Sequence, residues 1–124
     1  MKGQHLFVRP IDSADSDAIQ AFLALHHPQL SCPRSGLLGK LVGNLVAVLA
    51  MHITADEVRI DEIVVAGELR RKRIGRVMVD HLEQLGARLD RQRLVVERED
   101  VPAAFLQRIG FVREGPRWIR KIRK

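Results

Sequence analysis

The hydrophobic pattern of the chain changes its period near the middle. Residues 58–65 are rich in β-branched side chains, which predicts a strand. Further on, apolar side chains recur at steps of three and four residues, as they do along one face of a helix. That stripe consists of Ile74, Val77, Met78, His81, Leu82, Leu85 and Leu89. The pattern therefore predicts a strand that leads, through a short turn, into an amphipathic helix.

The part before this centre predicts one helix and three strands. Residues 6–9 read as a short strand, and an acidic, serine-containing segment predicts a capped helix over residues 13–26. The prolines of residues 27–36 predict a loop. Two apolar runs, 37–42 and 45–53, flank Gly43-Asn44, which predicts a tight hairpin turn. With the strand at 58–65, they predict an antiparallel meander.

The part after the centre predicts a short strand, a short helix and a closing pair of strands. Residues 93–97 form the strand, and Asp100 is expected to cap a helix that Gly110 ends. Residues 111–112 and 118–122 are expected to pair. The order β-α-β-β-β-α-β-α-β-β indicates one α/β domain over residues 1–124, with a mostly antiparallel mixed sheet flanked by helices.

Positive charge is concentrated in two segments of a chain whose net charge is +6. Residues 113–124 carry six basic side chains and one acid, and residues 70–76 carry five basic side chains and no acid. A local basic patch favours an anionic partner. The turn before the predicted helix is the better candidate, because the first amides of a helix lack partners and attract phosphate.

Cysteine and hydropathy indicate a cytoplasmic protein. Cys32 is alone among 124 residues, so no intrachain disulfide can form and a reducing compartment fits. The longest apolar stretch, residues 45–51, is too short to span a bilayer, and the first residues lack a signal-peptide segment. His26 and His27 have no metal-ligand spacing, and we expect them to serve a helix end or loop. No metal is therefore predicted.

Two segments resemble the GNAT family of N-acetyltransferases. The family's acyl-CoA pyrophosphate loop reads Gln/Arg-x-x-Gly-x-Gly/Ala between a strand and a helix. Arg70 and Gly75 match this pattern, and Arg73 stands at its first glycine. The stretch A-F-L-Q-R-I-G-F at residues 104–111 resembles the family's C-terminal signature. With the order of elements, the resemblance implies a GNAT-like fold and acetyl-CoA, or another acyl-CoA, as co-substrate.

The resemblance also assigns the residues that would hold the acyl-CoA. The end of the central strand would bind the pantetheine arm through its backbone, and the basic loop would hold the pyrophosphate. These residues are Ile63, Val64, Val65, Arg70, Arg71, Lys72, Arg73, Ile74, Gly75 and Arg76. A left-handed backbone at Arg73 would cost ~1 kcal/mol or more. Because the apolar stripe begins at Ile74, we expect Arg73 to be helical instead.

Two carboxylates are candidates for the catalytic base. Glu62 stands where the histone acetyltransferase branch of the family carries its general base, and a half-buried acid suits that role. Glu97, on the next strand, is the alternative for the base or for amine recognition. A structural interpretation is equally open, in which Asp61 or Glu62 pairs with Arg59 or another basic neighbour at the sheet surface.

The expected general acid is missing. Leu106 occupies the position of the family's tyrosine, and the chain contains no tyrosine. Loss of a general acid typically costs ~10²–10⁴ in rate. Water, Ser31 or Cys32 would have to donate the proton instead.

Several functions fit these observations. The first is an acetyl-CoA-dependent N-acetyltransferase that acts on an unspecified small-molecule or protein amine. The alternative is a non-catalytic acyl-CoA-sensing regulator that binds a protein partner. The basic segments could also bind nucleic acid or remain solvated, but an aromatic content of 4% disfavours stacking of bases. Pairing of the closing strands across a homodimer stays open.

Overall fold

The computed structural model describes residues 5–69, 73–98 and 101–123. The predicted order of helices and strands is confirmed, whereas the predicted cap at Asp100 lies outside the described residues. The strands are β1 Phe7–Pro10, β2 Gly36–Leu41, β3 Asn44–Ile53, β4 Glu57–Val65, β5 Arg93–Val96, β6 Val112–Glu114 and β7 Arg117–Lys121. The helices are α1 Ser16–His26, α2 Ile74–Arg88 and α3 Ala103–Arg108, and short 3-10 turns occupy Ser13–Asp15 and Gly67–Leu69.

The seven strands form one mixed sheet in the order β1-β2-β3-β4-β5-β7-β6. The predicted meander of β2, β3 and β4 is confirmed, since each neighbouring pair is antiparallel. β4 and β5 are parallel, and α2 makes the crossover between them. Within the described residues, no helix is long and apolar enough to cross a bilayer.

Helix α2 packs its predicted apolar stripe against the middle of the sheet. Met78 and Leu82 are fully buried there. Gly39 on β2 makes close approach possible, because a Cβ at this position would lie 2.9 Å from the Met78 Sδ. The same Cβ would lie 3.5 Å from the Ala47 Cβ, so α2 covers the face of β3 that carries Ala47.

A salt bridge joins the start of α1 to the edge of the sheet. Arg9 on β1 donates hydrogen bonds of 2.8 and 2.6 Å to the two carboxylate oxygens of Asp15. Asp15 and Asp12 also form a capping box, in which each side chain accepts from a backbone N–H in the turn. Residues 13–15, which were predicted to start the helix, therefore form a 3-10 turn, and α1 begins after them at Ser16.

The β2–β3 turn is displaced by one residue from the predicted position. Leu41 pairs with Asn44, so the two turn residues are Val42 and Gly43 rather than Gly43 and Asn44. Both have positive φ, 49° and 80°, as a type I′ turn requires. The predicted Gly43-Asn44 turn was wrong, because Asn44 already pairs with Leu41. Gly43 therefore takes the second turn position, and the β-branched Val42 takes the first.

Candidate active site

A cleft opens where β4 and β5 separate. The two strands pair only as far as Ile60 and Val96, after which β5 ends and β4 continues to Val65. The cavity has a volume of about 950 Å³ and is lined by β4, the first turn of α2, α3 and the end of α1. In the described part of the chain, β4 beyond Ile60 pairs with β3 alone. Its backbone on the other side can therefore meet a ligand.

A β-bulge at Asp61 decides which side chains meet in this cleft. Met51 of β3 pairs with Ile60, but the preceding residue Ala50 pairs with Glu62, so Asp61 is an extra residue. After the bulge, even-numbered and odd-numbered residues of β4 exchange the faces of the sheet to which their side chains point. Ile60 and Ile63 consequently share the face covered by α2, and Glu62 projects from the opposite face.

Glu62 is largely buried against a histidine and an arginine. Its side chain is 11% exposed, and its Oε2 lies 2.7 Å from the Arg98 Nη1 and 3.5 Å from the His27 Nε2. Neither contact has hydrogen-bond geometry at this oxygen. The predicted pairing of Glu62 with a basic neighbour is therefore found. His27, which was expected to serve only the end of the helix or the loop, also lies beside this candidate base.

Glu97 does not lie with Glu62 in the cleft lining. It follows β5, and its carboxylate oxygens lie 3.9 Å from the Arg59 Nη1 and 3.4 Å from the Arg117 Nε. Arg59 also donates a 2.7 Å hydrogen bond to Asp61, which is the pairing expected at the sheet surface. Glu97 therefore forms ion pairs with Arg59 and Arg117 and does not line the cleft.

The backbone at Arg73 differs from our expectation. Arg73 is the N-cap of α2 and is left-handed, with φ 62° and ψ 17°. The prediction that it would be helical was wrong, because the apolar stripe locates the first helical residue and not the conformation of the cap. An arginine thus occupies a conformation that favours glycine, which is the residue that the resemblance placed there.

The first turn of α2 forms the basic end of the cleft. Arg73, Gly75 and Arg76 line it, joined by Arg108 from α3. Among the residues that the structure describes, the guanidinium groups of Arg73, Arg76 and Arg108 have no carboxylate partner. Ile74 is buried, so it can contribute only its backbone. The remaining predicted loop residues, Arg70, Arg71 and Lys72, lie outside the described residues.

The wall opposite β4 is apolar. Phe105 and Leu106 of α3 line it, and the Phe105 ring lies so near Gly75 that a Cβ there would be 3.3 Å from its Cζ. Leu106 is 1% exposed, so the position assigned to the general acid is occupied by a packed hydrocarbon side chain. Neither Ser31 nor Cys32 belongs to the lining.

The predicted cofactor residues of β4 do border the cleft, and other lining residues were missed. Ile63, Val64 and Val65 all line it. His27 and Arg108 were not predicted as site residues, because their positions depend on the bulge in β4 and on the docking of α3. Within the described ranges, no cluster of three or more histidine, cysteine, aspartate or glutamate side chains could hold a metal ion.

Comparison with known proteins gives a family and a fold. Residues 6–111 match the model of the acetyltransferase (GNAT) family. A search of curated protein sequences finds no match. Among solved structures, the ribosomal-protein-S18-alanine N-acetyltransferase of Escherichia coli superposes with a TM-score of 0.77 at 14% identity, over 97% of this chain and 96% of that one.

Two further solved structures share the fold. Aminoglycoside 6′-acetyltransferase type Ii superposes with a TM-score of 0.78 at 15% identity. The match covers 95% of this chain and 98% of that one. A GNAT family N-acetyltransferase from Escherichia coli, in complex with CoA, superposes with a TM-score of 0.76 at 13% identity. The match covers 99% of this chain and 84% of that one. The seven-stranded sheet and its flanking helices are thus those of GNAT structures.

Proposed function

Because the chain belongs to the acetyltransferase (GNAT) family, we propose that it is an acetyl-CoA-dependent N-acetyltransferase that transfers the acyl group to an amine. The observation that carries the proposal is the cleft between β4 and β5. Within the described residues it joins an open strand edge to a cluster of arginines that have no carboxylate partner. The acceptor amine belongs to a small molecule or a protein, and the chemistry of the cleft is the same for both.

The residues present fit an acyl-CoA. The side of β4 that faces away from β3 at residues 62–65 suits the amide groups of a pantetheine arm, which can pair with a strand as a peptide does. Arg73 and Arg76 stand beside the free amides of α2 and supply charge for a pyrophosphate. Arg76 and Arg108 also line an adjoining groove of about 610 Å³, which offers room for the nucleotide end of the molecule.

The carboxylate at the other end of the cleft serves the acceptor. An amine must lose a proton before it attacks a thioester, and Glu62, with the groups in contact with it, lies where β4 departs from β5. We assign proton removal to this cluster. Glu97 is the weaker candidate, since its oxygens lie beside Arg59 and Arg117 and it does not line the cleft.

A second function, an acyl-CoA-sensing regulator that binds a protein partner, rests on the missing acid. Leu106 cannot protonate a departing thiolate, and the chain has no tyrosine that could replace it. A regulator of this kind binds acetyl-CoA tightly and releases no thiol. Pull-down of a partner only in the presence of CoA would favour it over the transferase.

The first experiment is calorimetric titration of acetyl-CoA into the wild-type protein and into a variant that carries Arg76→Ala and Arg108→Ala. We expect saturable one-site binding to the wild type and at least about tenfold weaker binding to the variant, because each lost charge-assisted contact costs ~1 kcal/mol or more. The matched control carries Arg34→Ala and Arg88→Ala, which remove two exposed arginines that do not line the cleft.

Equal affinities of the two double variants would contradict the arginine cradle, and an absence of binding to the wild type would overturn the whole proposal. Transfer is then tested by thiol release with a panel of amines. The panel contains a peptide with an N-terminal alanine, an aminoglycoside, glutamate, a polyamine and a lysine peptide. Binding without thiol release from any of them would favour the regulator.

A further inference from the structure

A second groove continues from the cleft past the start of α2. It has a volume of about 610 Å³ and lies between α2, the end of α3 and the last two strands. Arg76, Arg108 and Ile109 line both the groove and the cleft. A ligand that extends out of the cleft beside these residues therefore reaches the groove.

Arg120 holds the walls of this groove together. Its side chain is 19% exposed and donates hydrogen bonds of 2.9 Å to the Glu83 carboxylate, 3.0 Å to the Asp80 carboxylate and 3.0 Å to the Ile109 carbonyl. These three bonds join β7 to α2 and to the end of α3. The groove is therefore built by the fold, and the negative charge of Asp80 is balanced by this arginine.

The lining of the groove carries an excess of positive charge. Among the residues that the structure describes, five basic and two acidic side chains line it. The basic ones are Arg76, Arg108, Arg120, Lys121 and Arg123, and the acidic ones are Asp80 and Glu114. Lys121 and Arg123 are exposed, so their charges can meet a ligand at the surface. Such a lining suits an anion.

The cations follow one another along the two cavities in an order that matches an acyl-CoA. Arg73 lines the cleft alone, Arg76 and Arg108 line both cavities, and Lys121 and Arg123 line the groove alone. An acyl-CoA carries its negative charge in two groups, a pyrophosphate next to the pantetheine arm and a monophosphate on the 3′ oxygen of the ribose. With the pyrophosphate at the start of α2, the second group lies farther from the cleft, towards the cations of the groove.

We propose that Lys121 and Arg123, together with Arg108, bind the 3′-phosphate of the acyl-CoA. The protein then discriminates an acyl-CoA from the corresponding 3′-dephospho compound. This inference rests on the proposed acyl-CoA-dependent function and adds to it a specificity for the nucleotide end of the co-substrate. It also gives part of the basic segment at residues 113–124 a defined ligand.

The first test changes the ligand and leaves the protein as it is. Calorimetric titrations of the wild type compare acetyl-CoA with 3′-dephospho-acetyl-CoA. We expect the Kd of the dephospho compound to be at least about tenfold higher, because it lacks the charge-assisted contacts of the 3′-phosphate. Equal Kd values would overturn this inference and leave the proposed function intact. A wild-type protein that binds neither compound would overturn both.

The second test removes the two cations that line the groove alone. In a variant that carries Lys121→Ala and Arg123→Ala, acetyl-CoA should bind at least about fivefold more weakly, while binding of the dephospho compound should change less than about twofold. The matched control, Arg34→Ala with Arg88→Ala, loses the same charge from residues that line neither cavity, and it should keep the wild-type ratio of the two Kd values. A groove variant that also keeps this ratio would overturn the assignment.

Glu114→Gln tests the same site with the opposite sign. The Glu114 carboxylate lines the groove, where it repels a phosphate. Its removal should strengthen binding of acetyl-CoA by about twofold and leave binding of the dephospho compound unchanged. Equal strengthening of both compounds would show that the effect does not act through the 3′-phosphate, and would contradict the proposal.

The nucleotide end alone distinguishes this subsite from a separate nucleotide site. Adenosine 3′-phosphate 5′-diphosphate should compete with acetyl-CoA and should bind more tightly than ADP, which lacks the 3′-phosphate. If it instead binds to protein that is already saturated with acetyl-CoA, the groove is an independent site and the inference is overturned. This comparison and the first test use the wild-type protein, so they decide the question even if a variant fails to fold.

Discussion

Val42 occupies a backbone conformation that few side chains tolerate. Its φ is 49°, and 78% of its surface is exposed, so burial does not compensate the strain. Asn-Gly is the preferred pair for a type I′ turn, and Gly43 already follows. Val42→Asn should therefore raise the free energy of unfolding by about 1 kcal/mol, measured by urea denaturation.

The matched control for this turn is Val112→Asn. Val112 is 64% exposed as well, but its φ is not positive. Only the substitution at position 42 should stabilise the protein. Equal effects at the two positions would mean that loss of exposed apolar surface, and not relief of the turn, is the cause.

Arg73 allows backbone strain and charge to be separated at a single position. Arg73→Gly removes both the left-handed strain and the guanidinium, whereas Arg73→Ala removes the guanidinium alone. We expect the glycine variant to be more stable than the alanine variant by about 1 kcal/mol in thermal unfolding. Both should bind acetyl-CoA more weakly than the wild type.

A glycine variant that binds acetyl-CoA more tightly than the wild type would contradict a phosphate-binding role for the Arg73 side chain. It would mean that backbone geometry at the start of α2 limits binding. Equal stability of the two variants would show that the surrounding turn, and not the residue type, determines this conformation.

At the scale of elements, the junction of β1 and α1 is sensitive to acid. The Arg9 guanidinium, together with the Asp12 backbone N–H, lowers the pKa of Asp15 from its ordinary 3.8 to about 2. A carboxyl whose pKa is lower in the folded state stabilises the fold above its unfolded pKa. That contribution is lost as the pH falls from about 3.8 towards 2.

Denaturation of the wild type and Asp15→Asn at a series of pH values measures this contribution. The difference in stability between them should be constant above about pH 4 and should shrink between pH 4 and pH 2. Asp17→Asn, in the exposed first turn of α1, serves as the control and should show no comparable change. A difference that stays constant down to pH 2 would exclude the salt bridge as its origin.

The distribution of charge over the whole molecule predicts how acetyl-CoA binding depends on salt. Arg73, Arg76 and Arg108, which have no carboxylate partner in the part of the chain that the structure describes, line the mouth of the cleft, where solvent ions can screen them. Raising the salt from about 50 mM to about 500 mM should weaken binding of acetyl-CoA, while binding of acetyl-pantetheine, which lacks phosphates, should change little. Parallel calorimetric titrations give both values, and equal salt dependence would contradict phosphate recognition by the arginines.

Periodicity predicted the elements of this fold better than it predicted the site. The stripe of α2 and the meander of β2 to β4 follow from local residue patterns, which packing did not override. The bulge at Asp61 adds one residue to a strand without changing its composition, so the face that carries Glu62 could not be derived from alternation. His27 contacts Glu62 only because the bulge turns the Glu62 side chain to the face of the sheet opposite α2.

The parting of β4 and β5 leaves a central strand with one unfilled side in the described part of the sheet. A ligand that pairs there binds the folded chain and not the unfolded one, so its binding free energy adds to the stability of the fold. The amides of the strand would then exchange with deuterium more slowly as ligand concentration rises. In a cell, the lifetime of the protein against proteolysis would then follow the supply of that ligand.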